Sequence, residues 1–192
     1  MPLGLGLTGI NSKTNTKAAI GGMARYILIP KDDVDIDSST LAAGNLVTVA
    51  ITNAEQALYV PKKDTATLTS TGALEDGSHR SNIEGLAEFP GIRKEDIAEA
   101  SRLTKVKDWI IIAEMNNCLV VLFGWDVVEG CSANEELKDS LTELRPVVSL
   151  DFGTSGGTDK LTMNFNGTQR TPACVIDTAT QTFDDILALT AP

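Results

Sequence analysis

Residues Trp109–Trp125 read WIIIAEMNNCLVVLFGW: two apolar runs, Trp109–Met115 and Cys118–Trp125, on either side of Asn116 and Asn117. Asn tolerates positive φ, so a two-residue turn is predicted, with Met115 opposite Cys118 and successive pairs outward from there. That register gathers Trp109, Ile111, Ala113, Met115, Cys118, Val120 and Leu122 on one face of a hairpin. Ile110, Ile112, Leu119, Val121 and Phe123 gather on the other, with Glu114 the only charge. Neither face belongs in water. One packs on the subunit core, and the second needs a helix, a sheet or another subunit to cover it. Ile110, Ile112, Leu119, Val121 and Phe123 are therefore candidate inter-subunit contacts, and the simplest cover within the chain is the helix predicted over Ile92–Lys105.

Outward from this hairpin, strands are predicted at 24–29, 46–51, 57–60 and 65–71, where Thr and Val dominate between Pro, Gly, Asp and Asn. Residues 1–22, MPLGLGLTGINSKTNTKAAIGG, are polar and Gly-rich after a brief apolar start and lack either period of a packed element. They read as an extended N-terminal arm. Residues 72–90 are too polar and too long for a turn and read as a long central loop anchored by Ile83, Leu86 and Phe89, which join the candidate contacts.

The helix at about 92–105 carries a narrow apolar stripe, Ile97, Ala100 and Leu103, and starts after Pro90 and Gly91. One or two further helical turns are expected at 134–140. Val147–Phe152 and Lys160–Phe165 predict a second hairpin with Val148, Leu150, Phe152, Leu161, Met163 and Phe165 inward. Ser149, Asp151, Thr162 and Asn164 then face outward, so only one side is buried. A last strand is expected at 173–176, and residues 177–192 read as a C-terminal tail whose Phe183, Ile186, Leu187 and Leu189 suffice for a docking turn. Many short strands and one lasting helix, without regular alternation, predict a mainly β chain. Its domain, residues 23–176, is an antiparallel β-sandwich or barrel with one flanking α-helix.

At 192 residues the chain is long enough to bury a full core without covalent staples. Its three cysteines, Cys118, Cys131 and Cys174, lack ligand spacing and read as reduced thiols of a cytosolic compartment. The first twenty residues carry no signal-peptide pattern, and the longest apolar runs fall short of the roughly twenty residues that span a bilayer. A net charge of −10 argues against general nucleic-acid binding, which needs clustered Lys and Arg. The nearest basic group, Arg102, Lys105 and Lys107, follows Glu95, Asp96 and Glu99 along the predicted helix in the order that its dipole favours.

Motifs that suggest chemistry lack their context. Gly4, Gly6 and Gly9 spell GxGxxG, but only three residues precede them, where a dinucleotide site needs a strand. Asp151-Phe152-Gly153 copies a kinase tripeptide in a chain without the other kinase signatures, and reads as a strand running into a glycine turn. Asp33, Asp35 and Asp37 match the opening of a calcium loop, but Ser38 and Gly44 stand where Gly and the bidentate Glu belong, which leaves a surface loop. His79, the single histidine, has no ligand-spaced neighbour, and no local signature pairs it with a cysteine. Neither a catalytic residue nor a metal or cofactor ligand is assigned.

The order of features is a Gly/Thr-rich arm, an ARYILIP strand, a long central loop, a flanking helix, then WIIIAEMNNCLVVLFGW and SLDFGTSGGTDKLTMNFNG. It resembles the tail tube, or major tail, proteins of bacteriophages and related injection machines, over roughly residues 24–176. The resemblance implies sandwich or barrel subunits in hexameric rings, with arms and loops binding the next subunit and the next ring. It implies no enzyme activity. The partners it implies are further copies of the chain, other virion tail proteins, and genomic DNA passing through without specific binding; the location is the virion, assembled in the host cytoplasm. A six-subunit ring would carry roughly sixty negative charges, ten per copy, which suits a conduit that must not hold phosphates. Connector, stopper or capsid decoration proteins share these features, and a non-enzymatic bacterial module presenting the 72–90 loop to a ligand is the reading from another class.

Overall fold

The computed structural model describes residues 22–42, 46–52, 57–62, 65–75, 78–129, 135–153 and 159–189. The hairpin at its centre pairs strand β7 (Trp109–Met115) with β8 (Val120–Phe123), in the register Ile111↔Phe123, Ile112↔Leu122, Ala113↔Val121 and Glu114↔Val120. This is one residue away from the predicted pairing. Met115 N–H donates to Leu119 O (2.8 Å) and Cys118 N–H to Met115 O (2.9 Å), so the loop holds three residues, with Cys118 in the left-handed region at φ +64°. A tight turn closed by a left-handed bulge residue is the usual three-residue solution. Because strand faces alternate, the slip exchanges every side chain of β8 between faces. Val121 and Phe123 lie with Trp109, Ile111 and Ala113, and Val120 and Leu122 lie with Ile110 and Ile112.

This hairpin sits inside a seven-stranded sheet of order β2-β3-β13-β8-β7-β1-β4. The flanking strands are β1 (Met23–Pro30), β2 (Val34–Ala42), β3 (Leu46–Ile51), β4 (Ala57–Tyr59) and β13 (Cys174–Ile176). Among the described residues only β13 and β3 run parallel. A second sheet of four strands, in the order β11-β12-β6-β5, is built from β5 (Thr67–Glu75), β6 (Ser78–Pro90), β11 (Arg145–Asp151) and β12 (Lys160–Gln169). The two sheets sandwich the first core. Tyr26, Ile111 and Phe123 from one meet Ile83, Met163 and Phe165 from the other. Phe165 lies opposite Gly85, where a Cβ would come within 2.8 Å of its ring, so that glycine makes room for the aromatic. The chain is mainly β, as predicted.

The second face of the seven-stranded sheet carries a core of its own. Ile27, Ile29, Ile110, Ile112 and Leu122 are covered by Trp125 and Val127 of β9 (Trp125–Glu129) and by Phe183 and Ile186 of a short helix, α2 (Phe183–Ala188). The predicted cover, helix α1 (Lys94–Leu103), lies elsewhere and buries only Leu103, in the first core. The tail forms that cover because Thr182 and Asp185 cap α2 reciprocally, and because Arg25 clamps it, bonded to Glu114 and to Asp184 (2.7 Å) with its guanidinium 4.4 Å from the Phe183 ring centre. Gln181 holds the approach to α2. Its side-chain amide bonds both the N–H (2.8 Å) and the C=O (2.9 Å) of Val49, as a neighbouring strand would.

Three further expectations are corrected. Residues 135–139 form strand β10 (Glu135–Asp139) paired with β9, not helical turns, because the partner strand supplies hydrogen bonds that isolated turns lack. Residues 78–90 form the longest strand, β6, instead of a loop: their alternation is masked by Gly and polar residues, and neighbours on both sides stabilise it. Asp35 and Asp37 lie on β2, where Asp35 accepts from the Asp37 (3.0 Å) and Ser38 (3.1 Å) N–H groups at a bulge. The predicted 1–22 arm falls outside the described residues except for Gly22, as do the Gly4–Gly9 motif and Cys131.

The turn geometry yields a stability test. Cys118→Val places a β-branched residue at φ +64° and should cost about 1–2 kcal/mol, whereas Cys118→Gly should cost nothing measurable. Urea unfolding followed by tryptophan fluorescence reads this as a shift in midpoint at unchanged slope.

Candidate functional site

Three places carry unusual surface or chemistry. The first is the outer face of the four-stranded sheet. Register places Thr67 opposite Leu86, Thr69 opposite Glu84 and Thr71 opposite Asn82; on the other side of β6, Glu84, Leu86 and Glu88 face Asn166, Asn164 and Thr162. Those three β12 residues meet Arg145, Val147 and Ser149 of β11, and Lys160 meets Asp151. The result is a hydroxyl- and amide-rich surface with scattered carboxylates. Two of its cations are paired, Lys160 with Glu88 (3.1 Å) and Arg145 with Glu143. Among the described residues neither β5 nor β11 has a second strand neighbour, so both edges of the sheet are open. The β5–β6 hairpin also overhangs: Ser78–Arg80 pair with Ala73–Glu75 but not with β12, and Leu74 on this extension is 78 % exposed.

The second is a cleft of about 390 Å³ where the seven-stranded sheet ends at β4. Tyr59 and Val60 line one side, Ala100 and Leu103 of α1 another, and Phe89, Leu161 and Met163 are among the residues between. Tyr59 stacks on Tyr26 with ring centres 5.1 Å apart and donates its hydroxyl to Glu99 (2.7 Å), which ties α1 to the sheet edge. Burial, reinforced by the Glu99 carboxylate, pushes the Tyr59 phenol well above its ordinary range, so it remains a donor at any physiological pH. Asp96 accepts from the Arg93 N–H (2.7 Å) at the start of α1, and its carboxyl is held low chiefly by the Arg93 side chain.

The third is Asp126, fully buried where β8 leaves the sheet through Gly124 (φ +113°) and becomes β9. Its Oδ1 accepts from the N–H groups of Arg170 (2.7 Å) and Thr171 (3.2 Å), while Oδ2 has no partner among the described residues. Burial raises its pKa, partly offset by those N–H donors. Gln169, also fully buried, accepts from Gly124 N–H (3.3 Å) and donates to Thr171 O (2.9 Å). The adjacent Cys174 thiol is pushed up to about 12 by burial and then by the Asp126 charge, so it is an inert thiol at neutral pH. This network fastens the two sides of a chain crossing; nothing in it is poised as a nucleophile.

The residues predicted to meet a neighbour are dispersed. Ile110 and Ile112 are fully buried in the second core, and Val121, Phe123 and Ile83 in the first. Phe89 is half-buried and lines the cleft, Leu86 is half-buried on the outer sheet face, and Leu119 is 41 % exposed at the hairpin turn. Leu86, Leu119 and Phe89 thus retain surface to offer a partner. Asp151 caps its own turn by accepting from Gly153 N–H (3.0 Å), and Phe152, predicted inward, is 63 % exposed. His79 lies opposite Leu74 in the overhang. The outer-face residues Asn82, Glu84 and Glu88 escaped the sequence reading inside a supposed loop. Their signal was present: Ile83, Gly85, Ala87 and Phe89 alternate with them at a strand's period of two. The chain matches no protein family, no curated protein and no solved structure.

Asp126 makes the pH dependence testable. A carboxyl whose folded pKa lies above its unfolded value destabilises the fold once ionised, so its stability contribution falls as pH rises from the ordinary carboxyl range through the raised value. Relative to Asp126→Asn, the wild type should gain stability on acidification through that window. Urea unfolding of both proteins across pH reads the difference, and a constant difference refutes it.

Proposed function

We propose that the chain is a virion structural protein, a self-assembling tail tube subunit that closes into rings stacked around a DNA conduit. The observation that carries this reading is the four-stranded sheet: among the described residues both of its edges are open, its inner face is apolar and its outer face is mainly polar, with Leu86 and Val147 the apolar exceptions. A sheet with two open edges pairs β11 of one copy with β5 of the next, a head-to-tail contact that closes into a ring when the rotation permits. Pairing of this kind satisfies the backbone groups of both edges and joins the sheets into one barrel.

The outer face then lines the lumen. Thr, Asn and Ser side chains suit a water-filled channel, and Glu84 and Asp151 oppose phosphates while Lys160 and Arg145 are already paired with Glu88 and Glu143. Affinity for DNA would trap a passing genome, since each unpaired cation captures a phosphate. The overhanging β5–β6 hairpin, with Leu74 exposed, projects beyond the sheet and suits contact with the next ring. Hexameric closure, a place in the virion and assembly in the host cytoplasm follow from the resemblance to tail tube proteins.

Electron microscopy of the purified protein should show hollow rings or tubes. Thr69→Lys combined with Ser149→Lys puts like charges on the two strands that would abut, and should leave a folded monomer with unchanged far-UV circular dichroism. A wild-type protein that stays monomeric over a wide concentration range would overturn the proposal, and single rings without stacking would favour a connector.

A further inference from the structure

Three buried side-chain atoms have no protein partner among the described residues: Ser81 Oγ, Trp109 Nε1 and Asp126 Oδ2. Their residues are 1 %, 6 % and 0 % exposed, so bulk solvent does not serve them. Polar groups shut away like this are nearly always hydrogen-bonded, and each exception calls for a partner.

The three atoms come from separate strands, yet all border one side chain, that of Gln169 at the end of β12. Ser81 lies directly opposite Gln169 on β6, on the same inner face. Gln169 reaches across the sandwich to accept from Gly124 N–H (3.3 Å), and a Cβ on Gly124 would stand 3.0 Å from the Trp109 carbonyl oxygen. Trp109 is held from its other side as well. Its N–H donates to Leu144 O (3.1 Å), and Leu144 fills the place that a Gly167 side chain would take, one inner position before Gln169. Asp126 stands between Trp125 and Val127, which face the second core, so its carboxyl points the opposite way. There its Oδ1 accepts the N–H groups of Arg170 and Thr171, the two residues after Gln169.

The donors and acceptors are complementary. An indole N–H only donates, a carboxylate oxygen only accepts, and a hydroxyl does either. A water molecule matches this set: it accepts from Trp109, donates to Asp126 and keeps a second hydrogen for Ser81. Three partners is the ordinary number for a buried water. A metal ion does not match, because the positive indole hydrogen would face it. Gly72, opposite Ser81 on β5, brings no side chain to compete for the space. We propose that one resident water is built into this crossing, bridging Trp109 Nε1 to Asp126 Oδ2 with Ser81 Oγ as its third partner. The site lies within one copy and does not depend on assembly.

A density map of the full-length protein that resolves ordered solvent should show a water within about 3.2 Å of both Trp109 Nε1 and Asp126 Oδ2. A map in which no water touches both atoms would overturn the proposal, as would a peak at the roughly 2.3–2.6 Å of a calcium–oxygen contact. A double-mutant cycle at neutral pH gives a second readout in solution. Trp109→Phe removes the indole N–H but keeps a ring, and Asp126→Asn removes the charge. The two residues share no direct bond, so the water is what couples them. The urea midpoint of the double variant should shift by less than the sum of the two single shifts, and additive shifts would overturn the bridge.

Discussion

Burial of β1, β7 and β8 on both faces is the constraint from which the rest of this structure follows. A strand with apolar side chains on both sides cannot lie at a protein surface, so each face must acquire a layer. The four-stranded sheet covers one face, and β9 with α2 covers the other. Which side chains go to which layer is decided by a single backbone conformation, the left-handed Cys118 that turns a two-residue loop into a three-residue one. Moving the register by one residue would exchange Val121 and Phe123 with Val120 and Leu122 and misfit both cores at once.

Maintaining two layers around one sheet forces the chain to cross between them, and each crossing leaves backbone groups that a regular ladder would have paired. Buried side chains take over that role. Gln181 stands in for a strand beside Val49, Gln169 satisfies Gly124, and Asp126 receives the N–H groups after β12. A buried polar group costs about 1–3 kcal/mol when unpaired, so these side chains allow the crossings more than they add stability. Arg25 works similarly at the surface, joining β1, β7 and α2 through Glu114, Asp184 and the Phe183 ring.

The same economy leaves the open edges. Core material is spent on both faces of the seven-stranded sheet, and among the described residues the four-stranded sheet is left with an uncovered, mainly polar face and two unpaired margins. The margin at β4 is short and borders a cleft lined by Tyr59, Phe89 and Leu161 together with Arg93, Asp96 and Glu99. Unpaired strands beside polar or apolar surfaces are the places where other chains attach, and the assembly proposal draws on that property.

Strand class, the central hairpin and the flanking helix were legible in the residues because periodicity is a local property: β3 occupies the predicted 46–51, and Leu161, Met163 and Phe165 face inward as their alternation requires. Of the site, the polar outer face was half legible, in the alternation of 82–89 that Gly and polar residues obscured. What local pattern could not decide was the partner of each surface. Asn116 and Asn117 announce a turn, but only packing against both layers selects the three-residue loop over the two-residue one. Likewise, Phe183 and Ile186 look like a modest tail in sequence and become the roof of a core because the tertiary fold brings them to a face formed more than fifty residues earlier. Alternation marks Leu161, Met163 and Phe165 for burial but also marked Phe152, which is exposed; what shields each apolar surface depends on packing, since burial is a relation between segments that no single segment encodes.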